Sequence, residues 1–199
     1  MFYSDGPKEQ TRHPTTVANN MTWNGNTCTT SSSYDTYYVG FRAFDRSLGE
    51  PGWVSDEAYI LGRSNGIHSI NSIFGEYITL ELPSEIFITS YTITTRIYDG
   101  SRPSKWYLFG WNSDTGYETI HNQDTQITDT DWVTATNYTM SFSVNPTKKI
   151  IKYILVVTDV TDASTHLGFC ELHLMGGDNF SGTEKLEMGD HLETKMIYQ

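Results

Sequence analysis

GEYITLELPSEIFITSYTITTRIYDGSRPSKWYLFGWNSDTGYETI, residues 75–120, decides the fold. From Glu76 to Leu82 the chain alternates: Tyr77, Thr79 and Glu81 point one way, Ile78, Leu80 and Leu82 the other. Period two with one apolar side is the pattern of a strand with one dry face. Pro83-Ser84 is expected to end that strand, because proline has no N–H to give a ladder. Ile86 to Ile97 is rich in Ile, Thr, Tyr and Phe, which suit a pleated, half-buried surface. Its parity slips, since Ile86 and Ile88 are even while Tyr91, Ile93 and Ile97 are odd. A slip of one residue near Thr89-Ser90 predicts a bulge, or a bend between two sheets. Asp99 to Pro103 reads as loop, Trp106 to Trp111 as strand, and Ser113-Asp114-Thr115-Gly116 as a turn.

Outward from this stretch the pattern repeats. Met21 to Ser33 has a turn at Asn24-Gly25 followed by an extended Thr/Ser run. Tyr38, Phe41 and Phe44 fall at helical spacing and predict one short helical turn. Asp45 to Asn71 carries five residues of Gly or Pro and must be irregular for much of its length. His121 to Trp132 is polar and acidic and reads as loop. Tyr138 to Val144 and Leu167 to Met175 alternate. Lys149 to Thr158 is apolar on both parities apart from Lys152, which predicts cover on both faces. No internal repeat and no βαβ alternation appear. The expected fold is all-β: around eight strands in an antiparallel sandwich or jelly roll over residues 21–177. Residues 1–20 and 178–199 read as polar N- and C-terminal arms.

Composition narrows the function. The 199 residues carry a formal net charge of −11, with 13 basic against 24 acidic side chains. Nucleic-acid binding neutralises phosphates with Lys and Arg, so this balance argues against it. It argues equally against a polybasic membrane patch. No apolar run reaches the ~20 residues that span a bilayer. The first residues show no basic-then-apolar leader pattern, so a route without secretion is expected. Cys28 and Cys170 are too few for a disulfide framework; free core thiols and a single bond between them both stand, with the reduced form favoured.

Motifs for chemistry are sparse. Gly62-Arg63-Ser64-Asn65-Gly66 matches G-x-S-x-G, but that motif works on a strand-to-helix turn, and no helix start follows. The six His show no zinc spacing. Asp124, Asp129 and Asp131 lack the loop glycine and closing glutamate of a calcium hand and read as a solvated acidic loop. No catalytic residue is assigned. Trp53 and Trp132 lie in or beside loops and are the tryptophans expected at a binding surface.

FRAFDRSLGEPGWVS (41–55), GEYITLELP (75–83), ITSYTITTR (88–96), SRPSKWYLFGWNSDTGYETI (101–120), KKIIKYILVVTD (148–159) and GFCELHLMGG (168–177) together resemble a discoidin domain. That family is also called coagulation-factor type C or galactose-binding-like. Ala43-Phe44-Asp45, Trp53, Leu80, Ser113-Asp114-Gly116 and Glu171 carry the resemblance, which covers 21–177. It implies an eight-stranded jelly roll, itself non-catalytic, that binds glycans or lipid headgroups with loops at one end. It also implies a structural calcium held by Asp45 and Glu171. Here Asp45-Arg46-Ser47 replaces the family's aspartate-glycine-aspartate, and Arg46 is a candidate to replace the cation. The chain is similar to discoidin-like domains in virion proteins of large DNA viruses. That implies a minor capsid or other virion component, assembled in host cytoplasm, whose arms and loops dock on neighbouring subunits. The alternative is a lectin-like module that holds a sugar with Trp53, Arg63, Arg102, Trp132 and the loops 46–71, 98–104 and 159–166.

Overall fold

The computed structural model describes residues 20–23, 25–46, 52–97 and 101–177. The expected arms therefore lie outside the described residues, apart from Asn20 at the start of the first strand. Eight strands of four residues or more are described. They are β1 (Asn20–Trp23), β2 (Asn26–Thr30), β3 (Glu76–Thr94) and β4 (Pro103–Asn112). Then follow β5 (Gly116–Gln123), β6 (Thr139–Ser143), β7 (Ile150–Val160) and β8 (Glu171–Gly177).

All pair antiparallel, as a jelly-roll sandwich built around β3. The first half of β3 lies between β2 and β7; β7 pairs β4 on its other side, and β4 pairs β5. The second half lies between β6 and β8 in the opposite layer. One strand thus serves both sheets.

How β3 changes sheets corrects one expectation. Pro83 does not end the strand. The ladder to β7 pairs Glu81 with Lys152 and resumes at Ile86 with Ile150, so the residues between bow out of register. Pro83, Ser84 and Glu85 are exposed there, where a missing N–H costs the ladder nothing. The slip at Thr89-Ser90 is a bulge: β8 pairs Met175 with Ser90 and Gly176 with Ile88, leaving Thr89 unmatched. Ile86 and Ile88 before it, and Tyr91 and Ile93 after it, all reach the core. Without the extra residue one pair would face outward.

The main core fills the space between the layers with Ile78, Leu80, Ile88, Tyr91, Trp106, Leu108, Leu155, Val157 and their neighbours. The doubly apolar β7 has its second face covered too. Ile154 and Val156 join Phe109 in a smaller cluster beneath Ile70 and Ile73, from the hairpin Ser69–Phe74. The expected turn near Phe44 is a 3-10 helix, Gly40–Phe44. The acidic loop expected over His121–Trp132 is not all loop. β5 continues to Gln123, and a short helix α1 (Asp129–Thr134) follows. Thr128 and Asp131 close a reciprocal cap at its start, which the Thr-x-x-Asp spacing encodes. Both cysteines are buried, and no disulfide joins them.

Candidate functional site

The tryptophans expected at a binding surface are interior, and this is a correction. Trp53 is fully buried, its ring edge-on to Phe169 at 5.3 Å and its indole N–H donating to Ser32 O at 3.0 Å. Trp132 is fully buried against Trp106 and donates to Pro103 O at 2.8 Å. A large ring with one polar atom is most stable in a sandwich interior when that atom finds a carbonyl, as both do. Arg102 is also buried. It donates from Nε and Nη2 to Arg96 O, from Nη2 to Ile97 O, and from Nη1 to the Asp129 carboxylate. Its guanidinium is spent on shaping the loop, not offered to a ligand. Arg63 is exposed, on the hairpin Tyr59–Ser64, where it stands opposite Asp159 of β7. Ser64 of the G-x-S-x-G motif is in the same hairpin and its hydroxyl accepts Gly66 N–H at 3.2 Å. No helix follows it, so the strained turn the motif needs is not formed.

The fold does bring Asp45 and Glu171 together. Glu171 is fully buried, and its carboxyl is pushed up to about 7, chiefly by burial. The neighbouring imidazole of His173 counters the rise, and the Asp45 carboxyl adds to it. His173 Nε2 stands 2.9 Å from Glu171 Oε2, and Arg42 Nη1 3.4 Å from Asp45 Oδ2. Calcium takes about six to eight oxygen ligands. Among the described residues no group of three His, Cys, Asp or Glu side chains forms here or elsewhere. Among the described residues, these two carboxyls, faced by Arg42 and His173, do not make up that ligand set. Of the acidic trio, Asp129 pairs with Arg102 and Asp131 caps α1.

A cleft of about 470 Å³ opens at one end of the sandwich, lined by Tyr34, Tyr38, Arg96, Asp162, Ser164 and His166 over Val54 and Ser101. Each wall has a local cause. The Asp35 carboxylate accepts the N–H groups of Tyr37 and Tyr38, folding the loop so that its tyrosines face out. Tyr34 N–H donates to Val54 O at 2.8 Å and Val54 N–H to Tyr38 O, which lashes the loop to the short strand Trp53–Val54. Arg96 lies with its guanidinium 4.9 Å from the centre of the Tyr38 ring. Gly168 makes room for it, since a Cβ there would sit 3.1 Å from Arg96 Cδ.

The opposite wall is the loop after β7. Asp162 and Ala163 both take left-handed backbone (φ 55° and 54°), an unusual pair for side-chain-bearing residues. Ser164 closes the turn, its hydroxyl accepting His166 N–H. His166 stands edge-on to Tyr34, ring centres 5.1 Å apart. Its Nδ1 lies 3.2 Å from Ser55 O. A carbonyl only accepts, so Nδ1 carries a proton, and in that tautomer of the imidazole Nε2 is the acceptor. The cleft therefore combines aromatic surface, a cation, a carboxylate, a hydroxyl and an imidazole.

Of the loops expected to hold a ligand, 98–104 and 159–166 contribute Ser101, Asp162, Ser164 and His166, and 46–71 contributes Val54. Trp53, Arg63, Arg102 and Trp132 do not line the cleft. Tyr34 and Tyr38 were missed, although three tyrosines in a Ser/Asp loop without apolar periodicity are the signal that marks them.

No protein-family model matches the chain, and no curated protein matches its sequence. Solved structures do match. A family 32 carbohydrate-binding module of Clostridium perfringens, in complex with GalNAc-β-1,3-galactose, is 16% identical with a TM-score of 0.56, over 76% of this chain and 96% of its own. The family 32 module of C. perfringens NanJ, in complex with galactose, is 11% identical with a TM-score of 0.55, over 78% and 97%. A chitosan-binding module from a Paenibacillus chitosanase/glucanase is 16% identical with a TM-score of 0.53, over 79% and 98%. Similar segments also occur inside larger chains, such as a family 89 glycoside hydrolase of C. perfringens, 14% of which is covered. These likenesses carry the architecture alone: an antiparallel jelly-roll sandwich.

Proposed function

We propose that the chain is a non-catalytic carbohydrate-binding module that holds a sugar in the cleft between Tyr34 and His166. The cleft itself carries this reading. A pyranose has an apolar C–H face and a rim of hydroxyls. Tyr34, more than half exposed, supplies a flat apolar surface for the first. Arg96 donates to hydroxyl oxygens, Asp162 accepts from hydroxyl protons, and His166 Nε2 accepts a third. The cleft volume of about 470 Å³ lies in the ~300–1,000 Å³ range of small-molecule sites. Tyrosine is suited to the role because it offers area and a polar tip at low rotamer cost. The fold likeness to modules solved with sugars supports the same reading.

Calorimetric titration with galactose, GalNAc-β-1,3-galactose and chitosan oligomers tests it. The expected result is saturable binding of at least one probe, lost in His166→Ala and in Tyr34→Ala. No heat from any probe across a broad glycan panel would overturn it, as would binding indifferent to both substitutions. The alternative of a particle component docking through its arms rests on segments outside the described residues, and no structural observation favours it over sugar binding.

A further inference from the structure

Glu76 opens β3, and its carboxylate is sealed in the interior, 1% exposed. A buried carboxylate is costly unless hydrogen bonds hold it. Here they come from two consecutive residues: the Ser31 hydroxyl donates to Oε2 at 2.6 Å, and the Ser32 hydroxyl donates to the same oxygen. The other oxygen, Oε1, has His68 Nε2 at 3.5 Å. Both serines leave β2 just ahead of Tyr34.

From Ser32 the bonding runs to both walls of the cleft. Ser32 O accepts the Trp53 indole N–H, and Ser32 Oγ accepts Asp56 N–H at 3.0 Å. Between those two anchors, Val54 O receives Tyr34 N–H, and Ser55 O receives His166 Nδ1–H. Ser55 Oγ also accepts Leu167 N–H at 2.9 Å, next to His166. One buried charge therefore orients the serine pair that sets the tyrosine wall, and through residues 53–56 the histidine wall as well.

We propose that Glu76 is a positioning residue of the cleft: it never touches the ligand, and it fixes the spacing of Tyr34 from His166. This rests on the sugar-binding reading above for its consequence, but not for its test. The near-perpendicular rings of Tyr34 and His166 shift each other's proton resonances, and those ring-current shifts report the spacing with no ligand present. In Glu76→Ala the Ser32 hydroxyl loses its acceptor, and the Ser31 hydroxyl keeps only Tyr77 O at 3.2 Å. The shifts should collapse toward free-residue values, and affinity for a bound galactose or GalNAc-β-1,3-galactose probe should fall about tenfold or more. Glu76→Gln restores an oxygen that both hydroxyls reach, so shifts and affinity should return to within about threefold of wild type, a rescue that loss of stability alone would not follow. A folded Glu76→Ala with unchanged ring-current shifts overturns the proposal. If that variant does not fold, Ser32→Ala decides: it removes one donor to Glu76 and the acceptor for Asp56 N–H, and unchanged shifts there overturn it too. Should wild type bind no sugar, the sugar-binding reading falls while the ring-current comparison still judges Glu76.

Discussion

The two aromatic populations of this chain have opposite fates. Trp53, Trp106 and Trp132 are fully buried, each giving its one N–H to an internal acceptor. Tyr34 and Tyr37 stand on a loop with roughly half their surface in water. The rings are similar in chemistry. What differs is what the backbone around them does: strands and a capped helix carry the tryptophans inward, while Asp35 turns the tyrosine loop outward. In a sandwich the largest ring supplies the most burial, so it goes to the core. A binding surface is left to the ring that tolerates water.

The largest effect that could break this contrast is Trp132→Ala. A fully buried indole is removed, so unfolding free energy should drop by ~3–5 kcal/mol in denaturant titration. A loss under about 1 kcal/mol would return Trp132 to the surface role expected from sequence.

Arg102→Met comes next. It strips Asp129 of its ion-pair partner and removes the bonds that Arg102 gives to Arg96 O and Ile97 O. Asp129 is partly exposed, so the cost should be ~2–4 kcal/mol, below that of a wholly buried pair. Arg96 should also lose its placement, so weaker sugar binding is expected even well below the melting temperature.

Glu171 gives a pH signature. Its carboxyl is raised to about 7 in the folded chain, from 4.5 in the unfolded. Between those values the native chain keeps a proton that the unfolded chain has released. Stability from this group is therefore complete below about pH 4.5 and is lost as pH rises through about 7. The loss is at most ~3 kcal/mol. Glu171→Gln should flatten the melting temperature between pH 5 and 8, and millimolar calcium should leave wild type unmoved. A calcium-dependent rise would restore the metal site.

The smallest change in stability and the sharpest in function is Tyr34→Ala. Exposed and outside the core, it should alter unfolding free energy by less than ~0.5 kcal/mol. Sugar affinity should nevertheless fall about tenfold or more, equal to ~1.4 kcal/mol. Equal losses in both would make Tyr34 a structural residue and erase the contrast.

The strands were legible because alternation is local. Glu76–Leu82, the parity slip at Thr89-Ser90, the Ser113–Gly116 turn and the two-faced β7 could each be read within ten residues or so, and each is present. Pro83 misled because a proline says where a ladder bond is missing, not whether the chain must stop. The cleft was only partly legible. Its loops could be named, but its residues come from positions 34, 96 and 166, brought together by pairings spread over the whole chain.

Sequence by itself therefore determined the class of fold, the acidic charge that argues against nucleic acid, and the polar loop that follows β7. The tertiary structure alone decided which aromatics face inward, that Arg102 serves a loop, and that Glu76 is buried with its carboxyl on Ser31 and Ser32. The physical reason is range. A strand's dry face is set by its own period, whereas burial of a given Trp, Arg or Glu depends on acceptors supplied by distant segments, and no local pattern encodes those.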